Sequence, residues 1–154
     1  MIIRKAKIED MEEVQRLRGL LVQYEKQELG NELLDINWAH SKQIEESTMN
    51  YIQQQYCFVA IKNERIVGMI TGKISSERPW FIEQTAILNN IYVEEEYRRK
   101  GIATKLYERF CLEIKKKEIT KIELHTMNNN KSAIKFYKKL GFEPYNIQML
   151  NKKI

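Results

Sequence analysis

The sequence predicts an α/β protein with a mixed α+β sheet: antiparallel N-terminal strands, a central parallel strand pair and helices on both faces. Three observations predict it. Two strand-like runs, Cys57 to Ile61 and Ile66 to Ile74, are separated only by Lys62-Asn63-Glu64-Arg65, a link short enough to close an antiparallel hairpin. A strand ending at Val93 leads into an amphipathic helix, Ile102 to Ile114, and then into a further strand, Ile119 to Thr126. A helix crossing between two strands makes them a parallel pair. The 154 residues carry no linker, repeat or extended low-complexity run, so 1–154 reads as one domain with one core.

The elements follow in order. Ile2 to Ala6 alternates as an opening strand. Met11, Val14, Leu17, Leu21 and Tyr24 recur at helical spacing, with Glu9 and Asp10 at the end where the helix dipole favours acids. Ser41 caps a second helix carrying Ile44, Thr48, Tyr51 and Ile52. After the hairpin, Ser75 to Pro79 reads as a loop. Gly68 sits mid-strand, where close backbone packing or a bulge is expected. Beyond the parallel pair, Ser132 to Leu140 is a helix ended by Gly141, and Phe142 to Leu150 supplies a final strand around Pro144.

Composition narrows the class. No apolar run approaches the ~20 residues that cross a membrane. The N-terminus has no signal-peptide core, and Cys57 and Cys111 lie in apolar segments as free thiols of a reducing compartment; a cytoplasmic protein is expected. His40 and His125 stand apart from any cysteine or carboxylate cluster, so no metal is expected. The net charge is +5, but its distribution says more. From Arg98 to Lys117 the bases meet only Glu108 and Glu113, whereas from Tyr24 to Asn50 six acids face Lys26 and Lys42. A basic segment beside an acidic one suits an anionic cofactor next to a cationic substrate. A nucleic-acid-binding module is the competing reading of the charge. Against it, the bases lie on one turn and helix with no stacking surface or reader motif, and no nucleic-acid partner is expected.

The densest signal is Arg98-Arg99-Lys100-Gly101-Ile102-Ala103, between a strand and a helix N-terminus. Backbone N–H groups and the helix dipole make such a turn a phosphate cradle. It has neither the Gly-Lys-Ser/Thr ending of a nucleotide P-loop nor the glycine spacing of a dinucleotide fold.

Arg98, Gly101 and Ala103 occupy the places of Arg or Gln, two residues, Gly, one residue, then Gly or Ala. This resembles the acyl-CoA signature of the GNAT N-acyltransferases. A second segment, Asn130-Lys131-Ser132-Ala133-Ile134-Lys135-Phe136-Tyr137 through Gly141-Phe142, resembles that family's C-terminal signature. The resemblance spans essentially the whole chain and implies the GNAT fold. It implies acetyl-CoA as co-substrate, with its pyrophosphate on the turn formed by Arg98, Arg99, Lys100, Gly101, Ile102, Ala103 and Thr104. It implies backbone contacts to pantetheine from Ile91 and Val93, the N–H of Val93 serving as donor to the thioester oxygen, and a contact from Asn130. A strand bulge that opens the cofactor slot also belongs to the family, although the sequence does not show one.

Transfer of an acetyl group to an amine requires a neutral amine held near the thioester, a donor for the oxyanion and a proton for the leaving thiolate. The resemblance gives the last task to Tyr137. Many relatives place a carboxylate just before the Ile91 position. Here Asn89 and Asn90 stand there, and neither takes a proton usefully. Glu83 and Glu94 are the distant candidates, read as surface residues. The implied acceptor is a small amine or lysine-like group, cationic at rest: a polyamine, aminoglycoside or lysine. The N-terminal pattern resembles diamine acetyltransferases most. Family members form homodimers, which sets that expectation for partners. A CoA-binding regulatory domain without catalysis is the remaining alternative, and Tyr137 argues against it.

Overall fold

The computed structural model describes residues 1–76 and 81–151. One sheet of five strands runs in the order β1 (Ile2–Lys5), β2 (Cys57–Lys62), β3 (Arg65–Ile74), β4 (Ala86–Val93), β5 (Ile122–Leu124). All neighbours are antiparallel except β4 and β5, which are parallel. The β2–β3 link is a two-residue turn in which Asn63 and Glu64 both take positive φ, 48° and 61°. Such turns match the twist of the strands they join. Ser75 and Ser76 leave β3 without regular structure; the remainder of the loop expected there, 77–79, lies outside the described residues.

Helices α1 (Met11–Gln27) and α2 (Lys42–Gln53) cover one face, and α3 (Ile102–Lys115) covers the other. Strand β2 divides its side chains between them. Phe58 and Ala60 join Leu106, Phe110 and Ile114 of α3, while Cys57 and Val59 join Val14, Leu17 and Ile52. That split is the period-2 alternation of a strand covered on both faces. Ser41 caps α2 as expected, its Oγ accepting from the Ile44 N–H.

Two register shifts shape the middle of the sheet. Opposite Ala60 and Ile61, β3 carries Val67 as an extra residue, and the adjacent Gly68 packs so closely that a Cβ would sit 3.1 Å from the Tyr92 carbonyl oxygen. Opposite Thr71 and Gly72, β4 carries Asn89 as an extra residue. A bulge reverses which edge the following amides face and sharpens the local twist. The sequence pattern around Asn89 has no mark that distinguishes it from regular strand.

Helix α4 (Lys131–Lys139) follows β5. It ends as expected at Gly141, whose φ is +91°, with the Phe142 N–H bonded to the Tyr137 carbonyl. Two expectations need correction. Residues Phe142 to Leu150 form no strand, and β5 is limited to three residues of the longer run anticipated. The parallel pair therefore lies at the edge of the five-stranded sheet rather than at its centre. Apolar alternation is necessary for a strand, but a partner edge must also be in reach.

Candidate active site

Strands β4 and β5 pair only from Ala86 to Leu88 with Ile122 to Leu124. The pairing stops at Leu88, one residue before the bulge at Asn89, where β5 itself ends at Leu124. The N–H of Glu94 bonds to the Val67 carbonyl on β3. By strand alternation, the amides of Ile91 and Val93 face the opposite, open side. The Val93 carbonyl confirms the direction, because it accepts from Arg98 Nε at 2.9 Å across that side.

The strand runs through a short 3-10 turn, Glu95–Tyr97, into the basic glycine turn. Arg99 and Gly101 take positive φ, 61° and 74°. Around Gly101 there is open space, so glycine is needed there for its backbone angle and not for room. The first intrahelical bond of α3 runs from the Lys105 N–H to the Gly101 carbonyl. Among the described residues, the N–H groups of Ile102, Ala103 and Thr104 make no hydrogen bond. They point outward at the positive end of the helix dipole, ready for an anion.

The three bases of the turn divide their tasks. Arg99 is exposed. Lys100 donates to the Glu96 carbonyl and lies against the Tyr97 ring. Arg98 folds back over β4: besides its bond to Val93, its guanidinium rests 5.5 Å from the Tyr24 ring centre and 5.4 Å from that of Tyr92. It ties the turn to the end of α1 as well as to β4.

Helix α4 follows the end of β5. Asn130 is its N-cap, Oδ1 accepting from the Ala133 N–H at 3.1 Å. Nearby, Asn129 Nδ2 donates to the Leu29 carbonyl at 2.7 Å, fastening the start of α4 to the end of α1. Tyr137 lies between Phe136 and Phe142, ring centres 5.5 and 5.6 Å away. Burial, with a smaller contribution from the Glu25 charge, pushes its phenol up to about 12. It therefore stays protonated at neutral pH.

Glu25 is the residue that sequence reasoning missed. It occupies the last full turn of α1, is half-buried, and sits close enough to Tyr137 to act on it electrostatically. Burial raises its carboxyl above the usual range. At helical spacing it reads as one more acid in an acidic segment; only the placing of α1 beside β4, with its end fastened to the start of α4 through Asn129 and Leu29, shows it half-buried. The two carboxylates named from sequence are otherwise engaged. Glu83 pairs with Lys121 and Thr120. Glu94 is buried rather than on the surface, held by Arg16 at 2.6 Å and Arg65 at 2.9 Å. Asn90 accepts from the Thr71 hydroxyl at 3.0 Å. Among the described residues, no group of His, Cys, Asp and Glu is arranged to hold a metal.

Among the described residues, two amides on the open side of β4 lead onto three unbonded amides at a helix N-terminus, a geometry suited to an extended ligand that carries phosphate. The family model of the GNAT acetyltransferases matches residues 22–142, and the chain belongs to that family. Among curated relatives, it is 34% identical over 88 residues to N-alpha-acetyltransferase 30 of Xenopus laevis, covering 57% of this chain and 32% of that protein. The fission yeast N-alpha-acetyltransferase 30 is 29% identical over 120 residues, 73% of this chain and 79% of that one. The chain thus spans about a third of the frog relative's length. The fold is also that of PaiA N-acetyltransferase from Thermoplasma acidophilum, a structure solved with coenzyme A. That match has a TM-score of 0.78 at 24% identity over 96% of this chain and 92% of that one.

GNAT acetyltransferases use acetyl-CoA as co-substrate, and the residues here fit it. The amides of Ile102, Ala103 and Thr104 suit its pyrophosphate, and the open amides of Ile91 and Val93 suit the amide-bearing pantetheine arm in the manner of an added strand.

Proposed function

We propose that this protein transfers the acetyl group of acetyl-CoA to the α-amino group at a peptide or protein N-terminus. The observation that carries the reading is the end of the β4–β5 pairing at Leu88, after which the amides of Ile91 and Val93 face away from β3 and lead onto the amides at the start of α3, which make no hydrogen bond among the described residues. Arg98 and the Asn130 cap hold the two walls of that slot.

The chemistry divides among three groups. Glu25 takes a proton from the ammonium of the acceptor, its raised pKa placing it closer to the working pH. The neutral nitrogen bonds to the thioester carbon while the Val93 N–H donates to the carbonyl oxygen, and the carbon–sulfur bond breaks. Tyr137 donates its proton toward the departing sulfur, and the nitrogen, cationic after attack, returns its surplus proton to the Tyr137 phenolate, leaving a neutral amide and a neutral phenol. A phenol raised to about 12 is a weak acid for this task. Desolvation disfavours a thiolate as it does a phenolate, which favours passage of the proton to the departing sulfur.

The choice of acceptor rests on two supports. Relatives at 29% and 34% identity are N-alpha-acetyltransferases. An α-amino group has a pKa of about 7.7–8.0 against ~10.4 for lysine, so at pH 7 its neutral fraction is larger by more than two orders of magnitude. Asn89 and Asn90, in place of a strand carboxylate, are better tolerated with that amine than with a polyamine or a lysine. The test is a panel of free-N-terminal peptides, Nα-blocked lysine peptides, polyamines and an aminoglycoside, read by mass spectrometry and thiol release. Acetylation confined to free N-termini is expected. Preference for polyamines or blocked lysine peptides would overturn the acceptor. Thiol release with none of them, despite acetyl-CoA binding, would leave only a binding domain.

A further inference from the structure

We propose that Asn90 determines acceptor specificity, its side-chain NH2 donating a hydrogen bond to the first carbonyl of an acceptor peptide. The assignment rests on the reading of the acceptor as a peptide N-terminus and adds the residue that selects it. Strand pairing gives the side chain its direction. On the β3–β4 ladder Met69 lies opposite Tyr92, Ile70 opposite Ile91 and Thr71 opposite Asn90. Ile70 and Ile91 pack with the α3 core, whereas Met69 and Tyr92 pack with the core under α1 and α2. By alternation, Thr71 and Asn90 share the α1 and α2 side. The end of α1 lies on that side, because the Arg98 guanidinium rests on the rings of both Tyr24 and Tyr92. Glu25 follows Tyr24, and Asn90 stands about 7 Å along the strand from Tyr92. A ligand with its pyrophosphate at the start of α3 runs back along β4 past Val93 and Ile91, and Asn90 is the next residue it meets.

The amide is held in one orientation. Thr71 is wholly buried, and its hydroxyl donates to Asn90 Oδ1 at 3.0 Å. That bond engages the acceptor end of the amide. The NH2 end makes no hydrogen bond among the described residues, and it is not sealed from solvent. Asparagine is a poor strand former, so an amide fixed at one end and free at the other gives the sheet nothing that valine would not. Its value lies in what the free end meets. Two N–H donors repel an ammonium group and suit a carbonyl oxygen. In a peptide, the carbon bearing the reacting amine also bears the first carbonyl. A polyamine has no such acceptor and brings a further cation, and in lysine the carbonyl lies beyond the four-carbon stem. The Asn90 amide therefore favours a peptide N-terminus over both.

The test uses the full chain and one acceptor peptide in two forms, the second with sulfur in place of the first carbonyl oxygen. Sulfur is the weaker acceptor, so in the wild type this exchange should raise the acceptor KM by about 3–10-fold, with acetyl-CoA KM unchanged. In Asn90→Ala the ordinary peptide should already show that loss, and sulfur should add nothing further. Thr71→Val, which frees the amide to turn, should show part of the loss, and Thr71→Ser should restore it. The double variant Thr71→Val, Asn90→Ala leaves no hydroxyl without its partner and gives the same reading where the single variant folds poorly. Asn90→Asp should lower kcat/KM for the peptide and raise it for polyamines. Equal sensitivity to sulfur in the wild type and in the Asn90→Ala proteins would overturn the assignment of Asn90 while leaving the acceptor class standing. A wild type that prefers polyamines or blocked lysine peptides would overturn both.

Discussion

Gly72 is where the sheet, the core and the cleft are most tightly coupled. It lies opposite Leu88, one step from the bulge that opens β4. A Cβ at this position would stand 2.5 Å from Cε2 and Cζ of Phe110 and 2.6 Å from the Ile87 carbonyl oxygen. Phe110 is fully buried, so its ring has nowhere to retreat, and the carbonyl belongs to the neighbouring strand. Overpacking of a filled core typically costs about 1–3 kcal/mol. Because backbone is involved, Gly72→Ala belongs at the upper end. The lower entropy of an unfolded chain with alanine offsets roughly 0.4–1 kcal/mol of this. The net expectation is about 2 kcal/mol, which in a domain of this size lowers Tm by roughly 4–8 °C. Circular dichroism melts of the single and double variants with Phe110→Leu provide the assay. Phe110→Leu destabilises the wild type by leaving a void, but should cost less in the Gly72→Ala background because it relieves the clash. A coupling of about 0.5–3 kcal/mol is expected for residues in direct contact. A Gly72→Ala protein that melts at or above the wild-type temperature, or a pair whose effects simply add, would refute the reasoning.

Other outcomes follow from the site and its supports. Tyr137→Phe should lower kcat by about 10²–10⁴-fold where chemistry limits turnover, with acetyl-CoA KM nearly unchanged, as judged by single-turnover kinetics. Glu25→Gln should remove the acid-side limb of the kcat/KM profile; in the wild type, activity rises as pH climbs through the raised Glu25 pKa. Gly101→Ala meets no steric barrier but must hold φ at +74°, costing roughly 1–2 kcal/mol and raising acetyl-CoA KM in steady-state assays. Asp10 is held below the usual carboxylate range chiefly by its bonds to Arg4, at 2.6 and 2.9 Å. Its contribution is complete above the ordinary aspartate value and disappears as pH falls through the lowered folded one. Asp10→Asn should therefore cost about 1.5–3 kcal/mol at pH 7 by urea unfolding, and the difference should shrink below about pH 4.

The site was legible in the sequence where its chemistry is local. A phosphate turn needs a positive-φ glycine followed at once by a helix, and Gly101 and Ile102 supply both within adjacent residues. The helix that carries Tyr137 announces itself by its cap at Asn130 and its stop at Gly141. The bulge at Asn89 left no such trace, because its residues resemble those of the regular strand around them and only the register against β3 reveals the extra one. Glu94 was misread for a related reason. Its burial depends on Arg16 and Arg65, which reach it from other elements.

By itself, the sequence determined the order of elements as far as the last helix, the antiparallel hairpin and the parallel pair. These follow from hydrophobic period, turn residues and motifs, all read over short stretches of chain. Only the tertiary structure decided that Glu25 comes within electrostatic reach of Tyr137, that Asn89 is an extra residue in β4, and that the alternating residues after Phe142 form no strand. Each depends on which distant surface lies opposite a side chain or strand, and local periodicity carries no information about that.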